Sequence, residues 1–231
     1  MSSYRMHALA GILMSLPFAP SILYLFFALI GASIPDLDHG LNKRKVFILL
    51  GIGIVLSILL FINGISSISG IILILLAIIF YFSKHRGFTH SFIGVLCLVS
   101  MVYCFIIGSM PLFSMYHVPA NISFFIVLLV LGVVLVSRYL LSLYVFLLLI
   151  VSFINPLDYN SIKWSYILIM LIIGVFSHLI LDLFTPNGLK VLYPFSNITF
   201  HKWMGLFLLF IWVVITVWYV LNSFGILLNI T

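Results

Sequence analysis

The sequence predicts an all-α, polytopic transmembrane helical bundle of about eight membrane segments, within a range of seven to nine. Three observations predict it. Of the 231 residues, 65% are hydrophobic and only 6% charged, where a soluble domain carries about a quarter charged residues. Apolar runs close to the roughly 20 residues that cross a bilayer recur from the first dozen residues to the last. No polar linker separates them, so residues 1–231 read as a single integral membrane domain.

The first element is the unusual one. Region 6–34 has Pro17 and Pro20 in its middle, which predicts either one kinked span or two half-length segments that enter and return against other protein. It lacks a clean small-residue cleavage site and runs directly into a polar motif, so it is expected to be mature structure rather than a signal peptide. Further spans are expected near 46–63, 68–83, 88–109, 120–136, 139–155, 165–183 and 203–228.

Charge sets the expected topology. Ten Lys and Arg stand against four acids, all aspartate, with no glutamate. The short turn "NGISSI" makes 46–63 and 68–83 a hairpin, so "NKRK" at 42–45 and "KHR" at 84–86 emerge on one side. Counting onward puts Arg138, Lys190 and Lys202 on that side as well, with Lys163 and Asp158 opposite and Arg5 unassigned. The positive-inside rule makes the basic face of this multi-pass protein cytoplasmic. The net charge of +6 does not imply a nucleic-acid partner. A nucleic-acid site needs a contiguous basic surface, whereas short basic clusters between apolar runs serve topology and attract anionic lipid headgroups. Membrane lipids are the expected partners. Cys97 and Cys104 are seven residues apart in one run, separated by about 10 Å of helical rise, too far to pair, and read as small buried apolar residues.

Three polar motifs fall at the basic face, although they played no part in setting the topology. They are "PDLDH" (35–39), "HRGFTHS" (85–91) and "SHLILDLFTPNG" (177–188). His178 and Asp182 are four apart and share one helix face, a spacing that lets both hold one metal. Asp36 and His39 are three apart with Asp38 between them, and His85 and His90 flank Gly87. The candidate metal ligands are therefore Asp36, Asp38, His39, His85, His90, His178 and Asp182. Together they include every acid of the chain except Asp158.

Imidazole with carboxylate suits a borderline divalent ion, Zn²⁺ or Mn²⁺ foremost, better than Mg²⁺. Seven candidates exceed the three or four protein ligands of one catalytic site, so either two ions share the site or some groups orient ligands and carry protons. A lone histidine in a membrane helix can simply bond a neighbouring helix, and an aspartate at a helix end can simply cap it. Seven such groups at one face are poorly explained that way. His7, at the head of the first segment, reaches the same face if the N-terminus lies on the cytoplasmic side. His117 reads as a solvated interfacial residue, and His201 as part of an anchor with Lys202 and Trp203.

At these motifs the sequence resembles the family of inner-membrane-associated metal-dependent hydrolases typified by the LexA-regulated protein YdjM, also called YbcI-like. The residues that carry the resemblance are His7; Pro35, Asp36, Asp38 and His39; His85, Arg86, Gly87, Thr89, His90 and Ser91; Ser177, His178, Asp182, Thr185, Pro186 and Gly188; and Pro194, Phe195 and Ser196. They span nearly the whole chain in the family's order. The resemblance implies metal-assisted hydrolysis and names no substrate.

In such chemistry a bound ion makes water acidic and polarises the bond under attack. With no glutamate, the general base falls to metal-bound hydroxide, a histidine or an aspartate, and the catalytic candidates are His85, His90 and Asp38. Arg86, Lys84 and Ser91 are the substrate-binding candidates, and Thr89 a possible addition. Arg86 and Lys84 suit phosphate oxygens, which tilts the expected small-molecule or lipid substrate toward a phosphoester at headgroup level. Plain topology anchoring explains the same two charges equally well.

Other enzyme classes lack their residues. An HExxH protease needs its glutamate, and neither a "PSGH" lipid-phosphatase element nor the four spaced aspartates of a CDP-alcohol transferase occurs. The alternative reading is a metal-ion or proton-coupled transporter using the same cluster, for which the broken first segment is apt. A carrier site belongs near the bilayer midplane, however, and no internal repeat is evident.

Overall fold

A computed structural model describes residues 4–38, 43–83, 86–154 and 159–223, the side chains of Asp38, Lys43 and Tyr159 excepted. Its helices are α1 (Tyr4–Ser15), α2 (Ile22–Ser33), α3 (Lys43–Ile62), α4 (Ile68–Phe82), α5 (Phe92–Met115), α6 (Ala120–Leu135), α7 (Arg138–Ile154), α8 (Trp164–Leu183) and α9 (Lys202–Ser223). Short 3₁₀ turns lie at Leu16–Phe18, Pro35–Asp38, Phe88–His90 and Tyr159–Ser161. Among the described residues the one β feature is an isolated antiparallel bridge between Leu189 and Phe200.

The all-helical class stands, but the count of spans needs correction. Among the described residues four helices are long and apolar enough to cross a membrane, at Arg44–Ile62, Phe92–Met115, Trp164–Leu183 and Lys202–Ser223, fewer than the seven to nine expected. The expected spans 68–83, 120–136 and 139–155 correspond to the apolar helices α4, α6 and α7, which have only 15, 16 and 17 residues. At 1.5 Å per residue such helices reach about 22–26 Å, short of a ~30 Å hydrocarbon core. The expected spans match these helices to within a residue at each end, so it is the reach of runs this short, not their position, that falls below a membrane span.

Pro17 and Pro20 resolve the first region into two helices. Proline lacks the N–H that would continue the ladder, and α1 stops at Ser15 in a 3₁₀ turn holding Pro17, with α2 restarting after the extended Ser21. Each has 12 residues, about 18 Å of rise. Near the start of α1, His7 stacks on His178 of α8; near the end of α2, Ala32 accepts from the same His178. Both outer ends of the pair thus meet α8 at one level, so α1 and α2 form an antiparallel hairpin.

Small residues let α2 lie directly on α8. A Cβ at Gly31 would run into the Leu171 carbonyl, and one at Gly174 into that of Ala28. Such close backbone approach is the usual means of helix association in lipid, where apolar burial drives little. Around this centre α3 and α4 pair, α5 packs on α4 and α8, and α6 packs on α7. Lys45 of α3 is buried and donates to the Val136 carbonyl at the end of α6, which places the start of α3 and the α6–α7 junction together. At the opposite end, Tyr116 Oη donates to Asn63 Oδ1 at 2.7 Å.

The outer faces are apolar, as on Trp203, Phe210 and Trp218 of α9. Cys97 and Cys104 lie on such a face, free and exposed rather than buried. A lipid-facing surface is as apolar as a core, so small apolar residues do not distinguish the two.

Candidate metal centre

The polar cluster is assembled from helix ends. Helix α8 delivers His178 and Asp182 from its last turns, and both are buried. His178 Nδ1 lies 2.7 Å from the Ala32 carbonyl. That oxygen belongs to the last turn of α2, where carbonyls have no intrahelical partner. A carbonyl only accepts, so Nδ1 carries a proton and it is Nε2 that faces the cluster, where in the neutral ring it offers its lone pair. Helix-end geometry thereby sets the tautomer that a metal ligand needs.

Two carboxylates and two more imidazoles meet that nitrogen. His178 Nε2 is 3.6 Å from Asp182 Oδ2 and 3.7 Å from Asp36 Oδ1. Asp182 is the hub, with Oδ1 3.5 Å from His7 Nε2 and Oδ2 3.5 Å from His90 Nε2. The His7 and His178 rings stack with centroids 3.8 Å apart, and His90 meets His178 edge-on at 5.4 Å. His90 and His178 are wholly buried, while Asp36 keeps 13% of its side chain exposed.

The motif "HRGFTHS" divides its work along the backbone. Arg86 adopts a left-handed conformation at φ 59°, and its guanidinium lies 3.9 Å from Asp182 Oδ1 and donates to the Gly188 carbonyl at 3.5 Å. Thr89 places its hydroxyl 3.0 Å from His90 Nδ1. Ser91, expected at the substrate, is instead fully buried as the N-cap of α5. Its hydroxyl donates to the Phe88 carbonyl at 2.8 Å and accepts from Gly94 N–H at 3.1 Å. In "TPNG", Gly188 closes a turn onto Thr185 at φ 59°, and a Cβ there would meet the Phe200 carbonyl, so the chain leaves α8 through a position suited to glycine.

Of the expected ligands, the structure brings Asp36, His90, His178 and Asp182 together. His39, His85 and Lys84 lie outside the described residues, as does the side chain of Asp38. His7, only conditional in the sequence, joins the cluster, and Arg5, unassigned there, lies less than a turn from it on α1. The Ala32 carbonyl has no signal in the sequence, since any residue at a helix end supplies one.

The donors form two overlapping triads, His7–Asp36–His178 and His90–His178–Asp182, each with its ligand atoms within 4.8 Å of one another. Charge-assisted hydrogen bonds close to about 2.7–2.9 Å, and these pairs stand off at 3.5–3.7 Å. Ligands on one tetrahedral Zn²⁺, with bonds of about 2.0–2.2 Å, lie about 3.3–3.6 Å apart. His178 Nε2 has no hydrogen-bond partner among the described residues although it is fully buried, which fits a metal ligand. The donor set thus has the chemistry and spacing of an ion site.

No curated protein and no solved structure matches the chain. A family model does, that of the YdjM inner membrane protein, over residues 1–229. The chain, a membrane protein with a buried His/Asp cluster at the end of α8, belongs to the YdjM inner membrane protein family.

Proposed function

We propose that this chain is a membrane-bound metal-dependent hydrolase whose His/Asp centre opens at the cytoplasmic membrane face and cleaves a phosphoester at headgroup level. The observation that carries the reading is His178, its Nδ1 tied to Ala32 and its Nε2 facing the carboxylates of Asp36 and Asp182. His90, His178 and Asp182 would hold a Zn²⁺ or Mn²⁺ ion, with His7 and Asp36 completing or flanking the set. Because one imidazole nitrogen has one lone pair, the two triads sharing His178 cannot each hold an ion through it. That supports one ion rather than two.

When bound, the ion supplies Lewis acidity and lets water ionise near neutral pH. The chain's own groups do the rest. Asp36, the most exposed carboxylate of the cluster, takes the proton from the attacking water. Arg86, at the rim, holds a phosphoryl oxygen opposite Asp182. Water oxygen bonds to phosphorus, the phosphorus–oxygen bond to the alcohol breaks, and the alcohol leaves with the proton. The test is turnover of phosphatidic acid and of p-nitrophenyl phosphate by metal-loaded protein in nanodiscs. The reading expects metal-dependent release of phosphate, lost in Asp182→Ala. No turnover of either compound would contradict it.

The α1–α2 hairpin, broken and ending at the cluster, favours an ion carrier as the alternative. Against it, His178 and Asp182 lie in the last turns of α8 rather than its middle. Ion flux into proteoliposomes that disappears in Asp182→Ala would support the carrier.

A further inference from the structure

Helix α1 has two working faces. His7 and Gly11 turn toward α2 and α8. Arg5, Leu9 and Ile12, at positions i, i+4 and i+7, line an apolar groove bounded by α2 and α7, with a volume of about 400 Å³. Leu25 of α2 and Leu143 and Leu147 of α7 complete its walls. Thirteen residues line it, and Arg5 is the sole charge among them. Along α7 the lining runs from Leu140 to Val151, about 16 Å of rise, a length suited to an extended hydrocarbon chain. The exposed Arg138 opens α7, two residues before that lining begins.

The two ends of the groove differ. Arg5 and His7 share the first turn of α1, so the charged end of the groove and the metal centre stand at one level on opposite faces of a single helix turn. Lipid tails are as apolar as leucine, so an apolar groove in a bilayer gains little by exchanging one tail for another. Selection has to come from the charged end. A guanidinium there recognises a phosphate monoester or diester.

We propose that this groove binds one acyl chain of an anionic glycerophospholipid, with its headgroup phosphate at Arg5, and that this lipid is the substrate class of the adjacent centre. The second half of the statement rests on the hydrolase reading; the first does not. The phosphate at Arg5 lies across the α1 turn from the cluster, so the headgroup passes round the start of α1 to reach it.

The experiment places the full chain in nanodiscs with phosphatidic acid or phosphatidylcholine carrying a photoactivatable diazirine in the acyl chain, and maps the cross-linked residues. Wild type is expected to cross-link within 9–12 and 143–147, more with phosphatidic acid. Leu143→Trp, which fills the groove, loses those cross-links while keeping its metal content, which reports that the variant is folded. Arg5→Gln keeps them but loses the preference for the anionic probe. Cross-links spread over all outer faces, or unchanged in Leu143→Trp, would overturn the groove. Equal labelling by both probes in wild type would overturn its selectivity for anionic lipid. A second arm compares hydrolysis of phosphatidic acid with that of p-nitrophenyl phosphate. Groove filling should raise KM for the lipid alone, and an equal effect on both compounds overturns the assignment as a substrate site. Groove-specific labelling with no hydrolysis of either compound supports the lipid site and overturns both its assignment as a substrate site and the hydrolase reading.

Discussion

The imidazole rings of His7 and His178 lie face to face, 3.8 Å apart and within 14° of parallel, although 171 residues separate them in sequence. This contact joins the first helix of the chain to the last turns of α8 and closes the cluster on one side. Neutral imidazoles tolerate such stacking, and neutral imidazole is the form that ligates a metal. Replacing His7 with Phe keeps the ring and removes the nitrogen. Zn²⁺ affinity, read by competition with a chelator, should fall about 10–100-fold as for loss of a supporting group, with thermal stability little changed. Unchanged affinity would remove His7 from the site.

Thr89 and Ser91 are two residues apart and should behave differently. Thr89→Val removes the hydroxyl beside His90 Nδ1 and should weaken Zn²⁺ binding by about tenfold or more. Ser91→Ala removes the cap of α5 and should cost about 1 kcal/mol of stability with the ion still bound. The same chelator titration and a thermal melt of each variant separate the two. Reversal of the pattern would mean the motif's roles are misassigned.

The α2–α8 contact should be intolerant of a single methyl group. Gly174→Ala pushes against the Ala28 carbonyl, and overpacking of this kind costs about 1–3 kcal/mol. Because α2 carries the Ala32 carbonyl, the variant should lose metal affinity as well as stability. Gly51→Ala, with nothing within 4 Å of the new Cβ, is the control and should melt at or above the wild-type temperature.

Sidedness is testable at exposed loop positions of a cysteine-free variant. Asn197 lies in the segment after α8, at the end where the cluster sits, and Ser66 lies in the α3–α4 turn. A membrane-impermeant maleimide should label Asn197→Cys from the cytoplasmic side and Ser66→Cys from the other. The opposite pattern would turn the centre outward.

The sequence made the helical class, the pairing of His178 with Asp182 and the grouping of three motifs at one face legible, because four-residue spacing and charge clusters are local signals. The hairpin was legible as one of two options, since Pro17 and Pro20 mark a break without saying which way the chain then turns. The span count was overestimated because hydropathy marks where an apolar helix lies, as at Ile68–Phe82 and Ala120–Leu135, without requiring that it be long enough to cross. His7 stayed conditional because its place depends on α1 returning antiparallel to α2. Ser91 looked like a substrate group because its motif neighbours are chemical ones, and only backbone geometry reveals an N-cap. The groove at Arg5 has no sequence signal, since its walls come from three helices far apart in the chain.

The most direct measurement of the central claim is the metal content of the detergent-purified full chain, wild type beside His178→Ala and Asp182→Ala, with circular dichroism confirming helix content. About one equivalent of Zn²⁺ or Mn²⁺ is expected in the wild type, lost in both variants with helicity retained. A wild type that takes up no ion from metal-replete medium, or full occupancy in both variants, would contradict it.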